Sequence, residues 1–388
     1  MMALLFPTKD NSPPKANEED RCLNCHVTTE TSGERQLLPD ALHAVDGVGC
    51  ESCHGPAKQW LGIHGTIEWR GLNSETKKSL GFIDTTADLT GRIRICANCH
   101  VGSRGRDVNH DLIAAGHPRL DFEFSAFHAN LPKHWEVDSD HSSETTDIEQ
   151  DPAFEAKAWL TGQLVTGQAS LRLLQDRTSD EKSWPELSEY ACFSCHHDLK
   201  SDSWRGLERR SSGRFAWGTW TFGTFPAIAR EVGAQAEFQS LQELMEDPFP
   251  ERTEVHRRAA VLNKALEEAI ANSSTRDYSV AGLDALAIHL IPGTASDSNK
   301  DGLPASSWDQ TAQLYLAAVA ISLARGNVAT DDPRTLSIQD DLEAVRQELL
   351  FGESADSPRD YSGCQMNEIL KRMRGIRDTL SSAGTINR

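Results

Sequence analysis

The chain of 388 residues contains no run of about 18 apolar residues, so it offers no membrane-spanning helix. Met1 to Phe6 is too short an apolar stretch for an export signal, and no basic start precedes it. Positive charge is scarce: 39 Lys and Arg stand against 58 Asp and Glu, leaving a net charge of −19. Such a field repels nucleic acid and anionic lipid. It argues against a polynucleotide or membrane-surface partner, apart from one short basic segment, Arg205, Arg209, Arg210 and Arg214. Methionine is nearly missing, with Met1 and Met2 at the start and Met245, Met366 and Met373 in the second half. What remains, 38% hydrophobic and 25% charged, is the composition of a globular chain of one large domain or two ordinary ones.

Cysteine is present in a pattern. Eight of the nine cysteines form four CxxC pairs, and histidine follows every pair: CLNCH (Cys22, Cys25, His26), CESCH (Cys50, Cys53, His54), CANCH (Cys96, Cys99, His100) and CFSCH (Cys192, Cys195, His196). With histidine at 14 of 388 positions, four out of four by accident is roughly a one-in-a-million event. Two thiols three positions apart can add to the two vinyl groups of one haem, and the adjoining imidazole then binds the iron. Zinc sites built from CxxC pairs are the alternative, but they do not require a histidine after every second cysteine. Disulfides within each pair would close strained rings and leave the histidines unexplained.

The other histidines crowd the same region: only His256 and His289 lie beyond residue 200. With methionine scarce there, bis-histidine ligation is expected, which keeps potentials below those of methionine-ligated cytochromes.

The motifs fall in residues 1–220, which read as a loop-rich tetrahaem domain. Within it one helix is expected over 153–177, with Leu160, Leu164, Gly167, Leu171 and Leu174 on one face. Before that helix lies an acidic run from Glu136 to Asp151, read as a solvated loop. The aromatics Trp204, Phe215, Trp217, Trp220, Phe222 and Phe225 suggest a core or a seam. Residues 221–388 read as a helical bundle, a scaffold or docking domain. One face there is Val255, Ala259, Leu262, Leu266 and Ile270. Another is Trp308, Ala312, Tyr315, Val319 and Leu323, opened by the capping box Ser307 to Gln310 and stopped at Gly326. Asp297, Asn299, Asp301 and Gly302 open like a calcium loop, but Trp308 stands where the closing carboxylate belongs, so calcium is only a weak candidate. Cys364 is expected as a buried thiol.

GVGCESCHGPA (Gly47 to Ala57) and RICANCH (Arg94 to His100) resemble the cytochrome c-554 family of multihaem c-type cytochromes, over about residues 20–130. CFSCHHDL and AAGHPRL (Ala114 to Leu120) resemble segments of longer bacterial relatives, and that setting puts His117 first among the distal candidates, ahead of His128, His64 and His43. The resemblance implies an exported electron carrier with closely packed haem pairs. It also implies a further CxxCH upstream of Cys22, whose haem His64 caps. No such motif precedes Cys22 here, so the native protein is expected to start earlier or to have lost that haem, and in the first case His64 lies near the surface.

The expected protein is therefore a mainly α, loop-rich multihaem cytochrome c domain followed by an α-helical bundle. It carries electrons between redox partner proteins through four covalently attached haems and works in the periplasm or otherwise outside the cytoplasm, because thioether attachment is made there. The alternative is an oxidoreductase acting on a small nitrogen or sulfur compound at one iron with an open coordination site.

Overall fold

The structure, a computed structural model, describes residues 2–5, 15–28, 46–135, 148–179, 182–196, 214–291, 308–350 and 363–381. Helices dominate these residues, in keeping with the mainly α, loop-rich fold expected. Two isolated bridges, Ser103 with Arg106 and Tyr190 with Trp217, are the β-type pairings among them. None of the described helices is long and apolar enough to cross a membrane. The chain divides into two compact units, one of Met1–Phe122 with Asn130–Asp151, the other of Glu123–Ala129 with Pro152–Arg388. The division at about residue 220 read from the sequence falls inside the second unit, and the fourth CxxCH motif belongs to that unit.

The first unit is built from short helices: α1 (Met2–Leu5), α2 (Asp20–His26), α3 (Glu51–His54), α4 (Ile67–Arg70), α5 (Ser74–Ser79), α6 (Leu89–His100) and α7 (His110–Ala114). Polar caps fix where several begin: Thr66, Asn73, Asp88 and Asn109 each accept a backbone N–H from the first turn. The core they enclose is small. Its large buried apolar side chains among the described residues are Leu23, Val27, Trp60, Trp69, Ile93, Leu112 and Phe122. Val48, Leu61, Ile63, Ile67 and Ile83 stay exposed on the stretch around the second motif.

The second unit holds longer helices: α8 (Phe124–Asn130, all but its last residue), α9 (Phe154–Arg177), α10 (Phe225–Glu231), α11 (Gln235–Met245), α12 (Arg252–Asn272), α13 (Val280–Leu290), α14 (Trp308–Val328), α15 (Arg334–Leu349) and α16 (Gly363–Ser381). Central α9 packs against α12 and α14, and is buried on most of its surface. Trp217, Phe222, Phe225 and Phe238 interlock beside it with ring centroids 4.5–6.4 Å apart, so the aromatic segment is core of this unit. Gly167 lets Phe225 approach: a Cβ there would stand 2.3 Å from Phe225 Cζ. Gly167→Ala is expected to lower unfolding free energy by about 1–3 kcal/mol. Denaturant melting followed by helical dichroism checks this, and an unchanged midpoint would show that the ring has room to move.

The predicted face of α12 is observed, with Val255, Ala259, Leu262, Leu266 and Ile270 all buried. The face predicted for α14 is not. Leu323 is exposed, Tyr315 and Val319 are half-buried, and the buried surface runs instead through Leu314, Ala317, Ala318, Ile321 and Ala324. α14 is packed by α9, α13 and α15 at once, so its apolar positions do not form one stripe, and it runs past Gly326 to Val328. The acidic run is also corrected where it is described: Glu149 is buried in an ion pair. The rest of that run to Asp147, together with Trp204, Arg205, Arg209, Arg210, the calcium-like segment, Ser307 and the side chain of Cys364, lies outside the described residues.

Candidate functional site

Three CxxCH motifs end helices of the first unit. His26 closes α2, His54 closes α3 and His100 closes α6. A helical turn puts residues three apart on one face, so each cysteine pair points its thiols the same way with the imidazole one position on. Gly55 follows His54 with φ +76°, and a Cβ there would meet the Gly81 carbonyl oxygen at 2.8 Å. Glycine thus lets the chain leave the motif against the 81–83 segment.

Backbone and side-chain bonds tie the three motifs together. Thr28 donates its N–H to the Gly47 oxygen (3.0 Å) and its Oγ1 accepts from Gly49 N–H (2.8 Å), linking the first motif to the second. Asn24, inside the first motif, donates to the Gly105 oxygen (2.8 Å), and Arg106 Nε donates to the Asn24 oxygen (2.7 Å), linking it to the chain beyond the third. The Cys25 thiol is hydrogen bonded to Cys99, which holds Cys25 above the usual thiol range and brings Cys99 down to about 7. Cys53 interacts with Cys99 and Cys96, and burial pushes Cys96 up to about 11. These acidities belong to free thiols; attachment would convert each sulfur to a thioether.

The imidazoles are prepared as ligands. His54 Nδ1 lies 3.0 Å from the Ile83 oxygen, His64 Nδ1 2.6 Å from the Leu61 oxygen and His117 Nδ1 2.7 Å from the Pro118 oxygen. A carbonyl only accepts, so Nδ1 carries the proton in each and Nε2 keeps its lone pair, the arrangement that second-shell partners impose on metal-binding histidines. Burial also holds His54 and His100 below the usual imidazole range, favouring the neutral ring. The His26 and His117 rings lie 6.4 Å apart between centroids at 75°, and His54 and His134 lie 6.0 Å apart at 81°. His54 is also stacked on Phe82 at 4.7 Å, and His100 on Phe122 at 5.3 Å.

The fourth motif sits in the second unit on the short turn Cys192–Ser194, with the His196 N–H donating to the Cys192 oxygen at 2.8 Å. Cys192, Cys195 and His196 are exposed. The Tyr190–Trp217 bridge and the bond from Ala191 N–H to the Ala216 oxygen (2.9 Å) hang this turn on the core.

Of the distal candidates, His117 is beside His26 and His64 is exposed beside Trp60. His128 belongs to the second unit, buried between Phe124 and Phe154. His43 lies outside the described residues, as do His141 and His197. The sequence reading did not single out His134; its only signal was membership of the histidine-rich first 200 residues. His256 and His289 are hydrogen bonded within the second unit, to Gln175 and Thr178 and to Ala227 respectively.

These residues fit covalently bound haem. Thiol pairs and imidazoles occur in one-turn units, and Val48, Leu61, Ile63, Ile67 and Ile83 around the second motif stay exposed. Trp60 Nε1 and Tyr190 Oη are buried without a hydrogen-bond partner among the described residues. They leave donors beside the second and fourth motifs where a carboxylate-bearing group would use them. Zinc needs four converging ligands, whereas no group of three or more His, Cys, Asp or Glu side chains gathers at one point among the described residues. Neither a curated protein nor a solved structure matches the chain. Residues 7–55, which carry the first two CxxCH motifs, match the family described as cytochrome c554 and c-prime, so over that segment the chain is similar to c-type cytochromes, which hold haem c covalently and transfer electrons.

Proposed function

We propose that the chain is a tetrahaem electron carrier working outside the cytoplasm, with thioether bonds from Cys22, Cys25, Cys50, Cys53, Cys96, Cys99, Cys192 and Cys195. His26, His54, His100 and His196 are its proximal ligands, and His117, His128, His64 and His43 are the pool for distal ligation. Bound haem c supplies reversible one-electron chemistry at iron. The observation that carries the reading is the contact of Cys25 with Cys99: the attachment points of the first and third motifs touch, which is what transfer between groups within one protein needs. Asn24 and Arg106 hold those attachment points in register. The net charge of −19 favours a redox partner with a basic docking face. The helical second unit presents the fourth motif and acts as scaffold.

The test is the intact mass of denatured protein matured in an export-competent host. It is expected to exceed the polypeptide by four haem masses, and Cys96→Ser with Cys99→Ser is expected to remove one. A mass equal to bare polypeptide would sink the reading. The rival, oxidation or reduction of a small nitrogen or sulfur compound at an open iron, predicts a ferric spectrum dominated by high-spin iron. The carrier predicts low-spin iron.

A further inference from the structure

The two imidazole pairs of the first unit stand edge to face at 6.4 Å and 6.0 Å, a spacing that ring packing also allows, as His54 with Trp60 shows at 6.4 Å. Two histidines gain little from lying edge to face, and when protonated they repel. Yet the fold holds one such pair with care. The His134 position is tethered on both sides: Lys133 Nζ is 2.8 Å from Glu149 Oε2, and Trp135 lies under the Arg92 guanidinium, 5.5 Å from ring centroid. Arg92 and Glu149 are themselves a buried ion pair at 2.7 Å. Arg92 belongs to α6 and also donates from Nε to the Thr85 oxygen at 2.6 Å. Opposite, His54 is fixed by Ile83 at Nδ1 and by Phe82 against its face. The His54 ring is thus fixed directly, and His134 is positioned through the two residues beside it.

A metal–imidazole nitrogen bond is about 2.0–2.1 Å, and the ring centre lies about 1 Å beyond the nitrogen. Two imidazoles bound trans to one ion thus have centroids roughly 6 to 6.5 Å apart. The observed 6.0 Å and 6.4 Å match this separation. We propose that His134 is the distal ligand of the iron carried by the second motif, trans to His54, and that His117 holds the same place for the first motif, trans to His26. This rests on the haem reading above and adds to it a ligand, His134, and a pairing. Ring planes near 81° and 75° leave the two π-type iron d orbitals close in energy, so both sites are expected to give strongly anisotropic low-spin ferric signals.

The test uses holoprotein. In His134→Gly, electron paramagnetic resonance is expected to lose one haem's share of low-spin signal and gain high-spin iron, with no change in haem mass, and added imidazole is expected to restore the low-spin state. His134→Met fills the same volume and retains a ligand, so it serves if the glycine variant does not accumulate. Its expected signature is one haem with a sulfur-to-iron charge-transfer band and a raised potential. The assignment to the second motif is checked by adding Cys50→Ser and Cys53→Ser, after which His134→Gly should change nothing further. Wild-type spectra in both His134 variants, or a spin change that persists without the second haem, would overturn the pairing. Neither outcome touches the haem count, which stands or falls on mass alone.

Discussion

Made without haem attachment, the full chain is expected to keep the helices of its second unit and to lose protected structure in the first. The first unit encloses few large apolar side chains, and leaves Val48, Leu61, Ile63 and Ile67 uncovered. Small assemblies of short helices rarely hold together unless a metal or covalent staple supplies what the core does not. Helices of four to seven residues, such as α2 and α3, have no stability of their own in water. By contrast, α9, α12 and α14 enclose fully buried Trp159, Leu164, Leu171 and Leu262. Amide hydrogen exchange on the haem-free chain should therefore show α6 exchanging freely while α9 stays protected. Equal protection of α6 and α9 would mean that the first unit folds on its polypeptide alone.

Arg325→Ala is expected to cost the second unit about 3 kcal/mol, the lower end of the range for breaking a buried pair from one side. Arg325 is 1% exposed on α14, with Nε 2.6 Å from Asp284 of α13 and a second bond to Asp332 just before α15. It thereby joins three elements. Its removal leaves two carboxylates facing one another, but Arg334 still reaches Asp332 at 2.6 Å and Asp284 at 3.6 Å, which keeps the loss from being larger. Urea unfolding of the holoprotein, read at the helical signal, measures the effect. A loss below about 1 kcal/mol would place this cluster with surface ion pairs in energetic terms.

The haem motifs were legible because they are local: each cysteine pair and its histidine sit within one turn, so spacing alone carries the chemistry. α9 and α12 were legible because their apolar residues recur at helical period, and the predicted 153–177 span differs from Phe154–Arg177 by one residue. α14 was less so, since Ala317, Ala318 and Ala324 pack against three neighbours and periodicity assumes one. Glu149 looked like part of a solvated acidic run because its partners, Arg92 and Lys133, are far from it in sequence. His134 was illegible for the same reason. What prepares it is Trp135 under Arg92 and Lys133 on Glu149, and neither contact has a signature in the string Leu131 to Trp135. His117 was found through the AAGHPRL resemblance, not through any physical signal that it lies beside His26.

The order of the paired histidines along the chain has a kinetic consequence. His26 reaches forward to His117 across the span containing His54, and His54 reaches to His134 across the span containing His117, so the two loops cross. Closing a loop costs entropy that grows with its length, and closing one of two crossed loops shortens the other. With the pairing proposed above, the two ligations therefore assist each other, and loss of either distal imidazole weakens both. Delivered amino end first, the chain also exposes all three motifs of the first unit, down to His100, before the partners His117 and His134 emerge. Attachment at these motifs thus precedes the closing of either crossed loop.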